Sequence, residues 1–171
     1  MESGKNAIVT AMTVRMRTEI VTNESGLMRG ELHSQYLEAP FVFFDLIRMI
    51  EKMDEVFDSK GFPQAFLKPR TFSEAGRAVR KNKQLKNNTM KDIMDFNNSE
   101  VPDGSKCTFE IAVRFRQNAT WQGQITWAEK NLKQNFRSVL EMLRLMDEAL
   151  MDDMKDKKVV DWESREMDDE G

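Results

Sequence analysis

Thr108-Phe109-Glu110-Ile111-Ala112-Val113-Arg114-Phe115-Arg116 is the stretch that decides the fold. Phe109, Ile111, Val113 and Phe115 alternate with Thr108, Glu110, Ala112, Arg114 and Arg116, and this period of two belongs to a β-strand with one buried and one wet face. A strand covered on both sides would be apolar throughout, so the pattern predicts a sheet covered on one face only. Thr10–Ile20 behaves the same way, with Met12, Val14, Met16 and Ile20 on one side and Thr13, Arg15, Arg17 and Glu19 on the other.

Outward from these strands the chain reads as two copies of one unit. Val14-Arg15-Met16-Arg17 leads to Gly30, Leu32 and Phe43-Phe44-Asp45-Leu46-Ile47, while Val113-Arg114-Phe115-Arg116 leads to Gly123, Ile125 and Phe136-Arg137-Ser138-Val139-Leu140. Glycines and helical parts share an offset of 93 (123 − 30), whereas the leading strands align at 99 (113 − 14), which implies a longer first hairpin. Partner strands are expected over Leu27–Tyr36 and Trp121–Glu129, joined through Asn23-Glu24-Ser25-Gly26 and Asn118-Ala119-Thr120. Trp121, Ile125 and Trp127 share the buried side. The first helix opens with Pro40 in its first turn and carries Phe43, Leu46, Ile47, Ile50, Met53 and Phe57 to a stop at Gly61. The second is capped by Asn135 and carries Phe136, Val139, Leu140, Leu143, Met146 and Leu150. A unit of roughly 45 residues buries too little apolar area to fold alone. The expected fold is therefore α+β: tandem ββα units forming a four-stranded antiparallel sheet, with two helices on one face and an approximate two-fold axis.

The two units make a single domain over 7–150, with the first copy at 7–60, a connector at 61–104 and the second copy at 105–150. Residues 60–91 hold Lys60, Lys68, Arg70, Arg77, Arg80, Lys81, Lys83, Lys86 and Lys91 against Glu74 alone. Thr71-Phe72-Ser73-Glu74 reads as a capping box opening a helix to about Lys83. Asn87-Asn88, Asn97-Asn98 and Pro102-Asp103-Gly104 read as loop, so the connector is expected to be partly disordered. Residues 151–171 form an acidic tail, read as disordered and able to compete for basic surface at low salt. Lys+Arg number 26 and Asp+Glu 29, so a nearly neutral chain is strongly polar along its length.

Several function classes drop out. One Cys and one His leave no intramolecular disulfide framework and no Cys/His zinc cluster. No apolar run approaches the roughly 20 residues of a membrane span, and Met1-Glu2-Ser3-Gly4-Lys5-Asn6 lacks a secretory layout, so no membrane partner and a cytoplasmic setting are expected. There is no Walker loop, GxGxxG or HExxH, so no cofactor and no metal is assigned. His33 and Cys107 lack partners for nucleophilic chemistry and read as a surface histidine and a semi-buried thiol. Asp152-Asp153, Asp156 and Asp168-Asp169-Glu170 lack the glycine turn of a cation loop. No catalytic residue is named, and the protein reads as a non-enzyme. Thirteen methionines point to an adaptable core or to helix surfaces used for contact.

The alternation has one functional consequence. Arg15, Arg17, Arg29, Arg114 and Arg116 fall on the uncovered face with His33, Gln122, Gln124 and Thr126. Guanidinium forks grouped on one face suit a phosphate or carboxylate. The connector residues Lys68, Arg70, Arg77, Arg80, Lys81 and Lys83 would extend such a site toward RNA or single-stranded DNA. Glu19, Glu31, Glu110 and Glu129 share these strands, so a solvated face of Arg–Glu pairs is the competing reading, and no aromatic side chain is placed there for a base to stack on. The functional expectation is a non-enzymatic binding or regulatory module engaging an anionic partner. Its alternative is an assembly protein that forms a homo-oligomer or protein interface through Met-rich helices or strand edges.

Val113-Arg114-Phe115-Arg116-Gln117-Asn118-Ala119-Thr120-Trp121-Gln122-Gly123 followed by Phe136-Arg137-Ser138-Val139-Leu140-Glu141-Met142-Leu143 resembles a small uncharacterised family from clostridial-type anaerobes, which shares an RQNATWQG-like hairpin and an FRSxLELxxLMDxAL-like helix. That resemblance implies a bacterial cytoplasmic protein and no particular activity. Asn118-Ala119-Thr120-Trp121-Gln122-Gly123 is also similar to the (D/N)xSxxG element of PilZ domains, which bind cyclic di-GMP together with an upstream RxxxR. Here Thr120 stands in place of the serine, and Arg114 and Arg116 are spaced RxR within the same hairpin.

Overall fold

A computed structural model of the chain describes residues 15–22, 28–65, 70–75 and 106–167. Among these residues the elements follow in the order β1 (Arg15–Thr22), β2 (Met28–His33), β3 (Phe41–Phe43), α1 (Leu46–Lys60), β4 (Lys106–Phe115), β5 (Gln122–Trp127), β6 (Leu132–Phe136) and α2 (Val139–Met167). The strands form one antiparallel sheet ordered β3-β2-β1-β4-β5-β6. The fold is α+β, but the expected four-stranded sheet of ββα units is corrected to six strands, with strand-strand-strand-helix in each half.

The two added strands occupy the sheet's edges, where alternation is weakest. Phe41-Val42-Phe43 is buried throughout and was expected inside the first helix; Pro40 precedes an edge strand, which tolerates it, instead of starting a helix. Leu132-Lys133-Gln134-Asn135-Phe136 buries only Phe136. Asn135 is thus a strand residue, and Ser138 caps the second helix, its Oγ accepting from the Glu141 N–H at 3.1 Å. In the first half Asp45 does the same for α1, with Oδ1 accepting from the Arg48 N–H at 2.8 Å. α1 ends as expected at Gly61, whose φ of 63° is the left-handed conformation that glycine adopts without strain.

The core lies on one side of the sheet. Met16, Thr18, Ile20, Leu32, Cys107, Phe109, Ile111, Val113, Ile125 and Trp127 all point into it. α1 delivers Met49, Met53, Val56 and Phe57, and α2 delivers Met142, Met146, Ala149 and Leu150. Thr18 Oγ1 donates to Met49 Sδ at 3.6 Å and Cys107 Sγ to the Ala149 carbonyl at 3.8 Å, so both helices cover the same face. Phe57 and Trp121 meet edge to face at 5.3 Å where α1 reaches the second hairpin.

Two glycines set the spacing of this arrangement. Gly30 pairs with Phe43 across β2–β3, and Gly123 with Phe136 across β5–β6. A Cβ on Gly30 would collide with the Glu19 carbonyl oxygen and stand 2.8 Å from Phe43 Cζ; one on Gly123 would collide with the Ala112 oxygen and stand 2.9 Å from Phe136 Cζ. Each phenyl ring fills the space over a bare backbone, the device by which an aromatic neighbour compensates a strand glycine. Gly30 faces Ile20 in β1 and Gly123 faces Val113 in β4, so Ile20 and Val113 correspond at the same 93-residue spacing as the glycines (113 − 20). The 99-residue alignment of the leading strands is therefore corrected. Arg17 corresponds to Glu110, not to Arg116, and Arg15 to Thr108, not to Arg114.

α2 continues to Met167, beyond which residues 168–171 lie outside the described residues. Lys130 Nζ donates to Asp152 at 2.6 Å and Asp156 at 2.9 Å, carboxylates one helical turn apart, and these bonds hold its pKa above the ordinary lysine value. Asp152 and Asp156 are thus engaged with Lys130 on the surface of α2. The Thr71 hydroxyl donates to the Ser73 carbonyl at 3.0 Å, and connector residues 66–69 and 76–105 lie outside the described residues, as do residues 7–14 of the first copy.

Gly123→Ala should destabilise the fold by at least about 2 kcal/mol, because backbone and ring would both have to move. Gly61→Ala, at positive φ with open space around it, should cost about 1 kcal/mol. Urea unfolding of both variants checks this order, and equal losses would contradict it. Glu141 supplies a pH test. Its side chain accepts from the Arg137 guanidinium at 3.1 Å and from the Arg137 backbone N–H at 2.6 Å, which lowers its pKa from 4.5. A depressed carboxylate stabilises the fold above its unfolded pKa and loses that contribution as pH falls through the folded one. The melting-temperature margin of the wild type over Glu141→Gln should therefore be full at neutral pH and shrink below pH 4.5.

Candidate anion-binding face

Among the described residues no helix covers the other face of the sheet, and this face carries the groups that alternation assigns to it, with one exception. Arg15, Arg17 and Glu19 come from β1, Arg29, Glu31 and His33 from β2, Glu110 and Arg114 from β4, and Gln122, Gln124 and Thr126 from β5. Arg17 stands between its register partners His33 and Glu110. Arg15, Arg17, His33, Ser34, Gln35 and Glu110 line a shallow hollow of about 310 Å³. The Arg15 guanidinium donates to Glu110 at 3.3 Å and that of Arg17 to Glu19 at 3.1 Å, while 48% and 57% of the two arginine side chains remain exposed. Glu19 is approached by Lys106 as well, at 3.5 Å. His33 Nε2 stands 3.4 Å from Glu31 Oε2 in a geometry that makes no hydrogen bond.

Exposed pairs of this kind contribute roughly 0–1 kcal/mol. The carboxylates thus neutralise the arginines only weakly, and an incoming phosphate or carboxylate with bidentate geometry can replace them. Among the described residues no three His, Cys, Asp or Glu side chains are grouped to hold a metal ion.

The other expected site residues are placed elsewhere. Arg29 opposes Val21, four residues along β2 from His33 and hence about 13 Å away at strand rise. Arg114 is exposed and lines a separate groove of about 680 Å³ with Phe115, Gln117 and the loop from Gly61 to Ala65. Arg70 is exposed, whereas Lys68, Arg77, Arg80, Lys81 and Lys83 lie outside the described residues.

Arg116 is the exception and a correction. The β4–β5 register shifts between Val113 and Phe115, and this irregularity inverts the alternation beyond it. Phe115, expected in the core, is 54% exposed, while Arg116, expected in solvent, is buried to 7%. The guanidinium joins three parts of the core side: Nε donates to the Pro63 carbonyl at 2.6 Å, one terminal nitrogen to Asp54 at 2.7 Å and the other to Asp58 at 2.6 Å. It also lies 5.6 Å from the centre of the Phe57 ring. A cation at the C-terminal end of α1 suits the helix dipole. The signal in the sequence was the Asp54–Asp58 pair, two carboxylates on one helix face awaiting a fork.

Trp121 and Trp127 are buried on the core side as expected, and Cys107 is fully buried. Among the described residues no helix is long and apolar enough to cross a membrane. No family model, curated protein or solved structure matches the chain.

Arg116→Met should cost about 2–4 kcal/mol, since it orphans the Pro63 carbonyl and frees two carboxylates of their common partner. Arg114→Met, on an exposed side chain, should stay within about 0.5 kcal/mol. Thermal unfolding of both variants measures the difference; a silent Arg116→Met would contradict the clamp.

Proposed function

We propose that this protein is a non-enzymatic binding module that engages an anionic partner on its uncovered sheet face. The observation that carries this reading is the convergence of Arg15, Arg17 and His33 on one hollow, with both guanidiniums half exposed and restrained only by surface carboxylates. Two adjacent forks fit the oxygens of a phosphate better than they fit each other's glutamates. The partner is a phosphate-bearing chain, RNA or single-stranded DNA, engaged first at that hollow. Phe115 adds support, because the register shift that buries Arg116 turns an aromatic ring outward beside Arg114. A nucleobase needs such a ring to stack on. The shared spacing of the Gly–Phe pairs, helix caps and buried methionines supports an origin of the two halves by duplication. The arginine hollow would then be a later feature of the first half, since Thr108 and Glu110 stand at the corresponding positions of the second.

Fluorescence anisotropy with a labelled single-stranded oligonucleotide over a salt series tests the reading. Affinity should fall steeply with salt. Arg15→Glu with Arg17→Glu should weaken binding by tenfold or more and flatten the salt slope by about two. Phe115→Ala should weaken it by roughly five- to a hundredfold without changing that slope, the range expected for loss of one stacked base. Binding that ignores the arginine exchange would sink the assignment.

A further inference from the structure

β6 ends the sheet on the second half. Among the described residues no strand lies beyond it, and Leu132, Lys133, Gln134 and Asn135 are all exposed. The opposite edge differs: β3 is three residues long, wholly buried and preceded by Pro40. Sheets usually protect a long edge with a bulge, a proline or several charges. β6 pairs with β5 in unbroken register, contains no proline, and carries Lys133 as its one charge.

A groove of about 560 Å³ with an apolar floor and charged side chains, among them Arg144, Asp147, Glu148 and Lys155, along its walls runs on the covered side of this edge, between β6 and α2. Its floor includes Phe109, Ile125, Trp127 and Leu145, and its rim includes Leu132 and Met151, which are 57% and 54% exposed. The corresponding place in the first half is filled. There Phe41 is buried where Gln134 stands here (134 − 41 = 93), and the Lys52 ammonium lies 5.4 Å from the centre of its ring, Lys52 corresponding to Leu145. Among the described residues the second half thus has an open edge and an open trough beside it.

We propose that β6 pairs with β6 of a second copy, antiparallel about a two-fold axis through Gln134, joining two six-stranded sheets into one. The strand is complementary to itself in that register. Leu132 stands opposite the partner's Phe136, Lys133 opposite the partner's Asn135, and Gln134 opposite its own equivalent. No like charges oppose each other, and the exposed Leu132 is brought against the buried end of the partner strand. A two-fold interface makes every such pair twice. The arginine hollow does not enter this contact, so the two proposals stand or fall separately.

Sedimentation velocity on the full chain across the micromolar range should show a dimer. Asn135→Lys places Lys133 opposite a lysine twice per dimer and should weaken association about tenfold; Asn135→Glu replaces that repulsion with attraction and should strengthen it by a similar factor. Both substitutions fall on an exposed side chain, and far-UV circular dichroism should be unchanged. Gln134→Cys should form an intermolecular disulfide in oxidising buffer, since antiparallel neighbours lie within bridging distance. A monomer throughout the range overturns the proposal, as does a dimer that both Asn135 variants shift in the same direction. A monomer that instead binds an added β-forming peptide gives the edge to a different chain and overturns it equally.

Discussion

The close approach of backbone and ring at Gly30 and Gly123 is the constraint on which the rest of the structure depends. With no Cβ at these positions, the Glu19 and Ala112 carbonyls come in close, and Phe43 and Phe136 lie over the bare backbone. Each ring belongs to the outermost strand of its half, so the pair fixes that strand's register. Two residues after each ring comes a helix cap, Asp45 or Ser138, and four residues after each cap comes the first buried methionine, Met49 or Met142. Sheet curvature, strand register and helix position are therefore set together. A larger residue at either glycine would disturb all of them.

The readable parts of the sequence were those where one physical demand acts alone. Phe109, Ile111 and Val113 alternate because β4 lies in the middle of the sheet with one face covered, and Met49, Met53, Met142 and Met146 repeat because a helix buries one stripe. Reading failed where a second demand intervened. Phe41-Val42-Phe43 is buried for reasons unrelated to alternation and merged with the apolar helix that follows, while exposed Leu132–Asn135 shows no pattern because no described residue covers it. The likeness of Val14-Arg15-Met16-Arg17 to Val113-Arg114-Phe115-Arg116 suggested an equivalence that hydrogen-bond register replaces with Ile20 and Val113. Of the proposed arginine site, Arg15, Arg17 and Arg114 were legible as exposed residues of one face. Arg116 was not, because a single irregularity after Val113 inverts the count and no local residue announces it.

These corrections change what the uncovered face offers. Alternation alone suggests four arginines arranged symmetrically about the centre. The register instead groups Arg15 and Arg17 with His33 at one hollow, leaves Arg114 at a groove with Phe115, and turns Arg116 into a clamp on α1. The halves share a plan but differ in surface. Among the described residues the first fills the trough beside its outer strand and carries paired guanidiniums, whereas the second leaves its trough and strand edge open. Under the proposed reading, ligand contact and self-association occupy different parts of one sheet.

The contact between ring and glycine is directly observable by nuclear magnetic resonance on labelled protein. Strong nuclear Overhauser effects should connect the Gly30 Hα protons to Phe43 Hζ and the Gly123 Hα protons to Phe136 Hζ. If both glycines lack such cross-peaks while their signals are otherwise well dispersed, the outer strands are not where this account places them, and the register built on them is wrong.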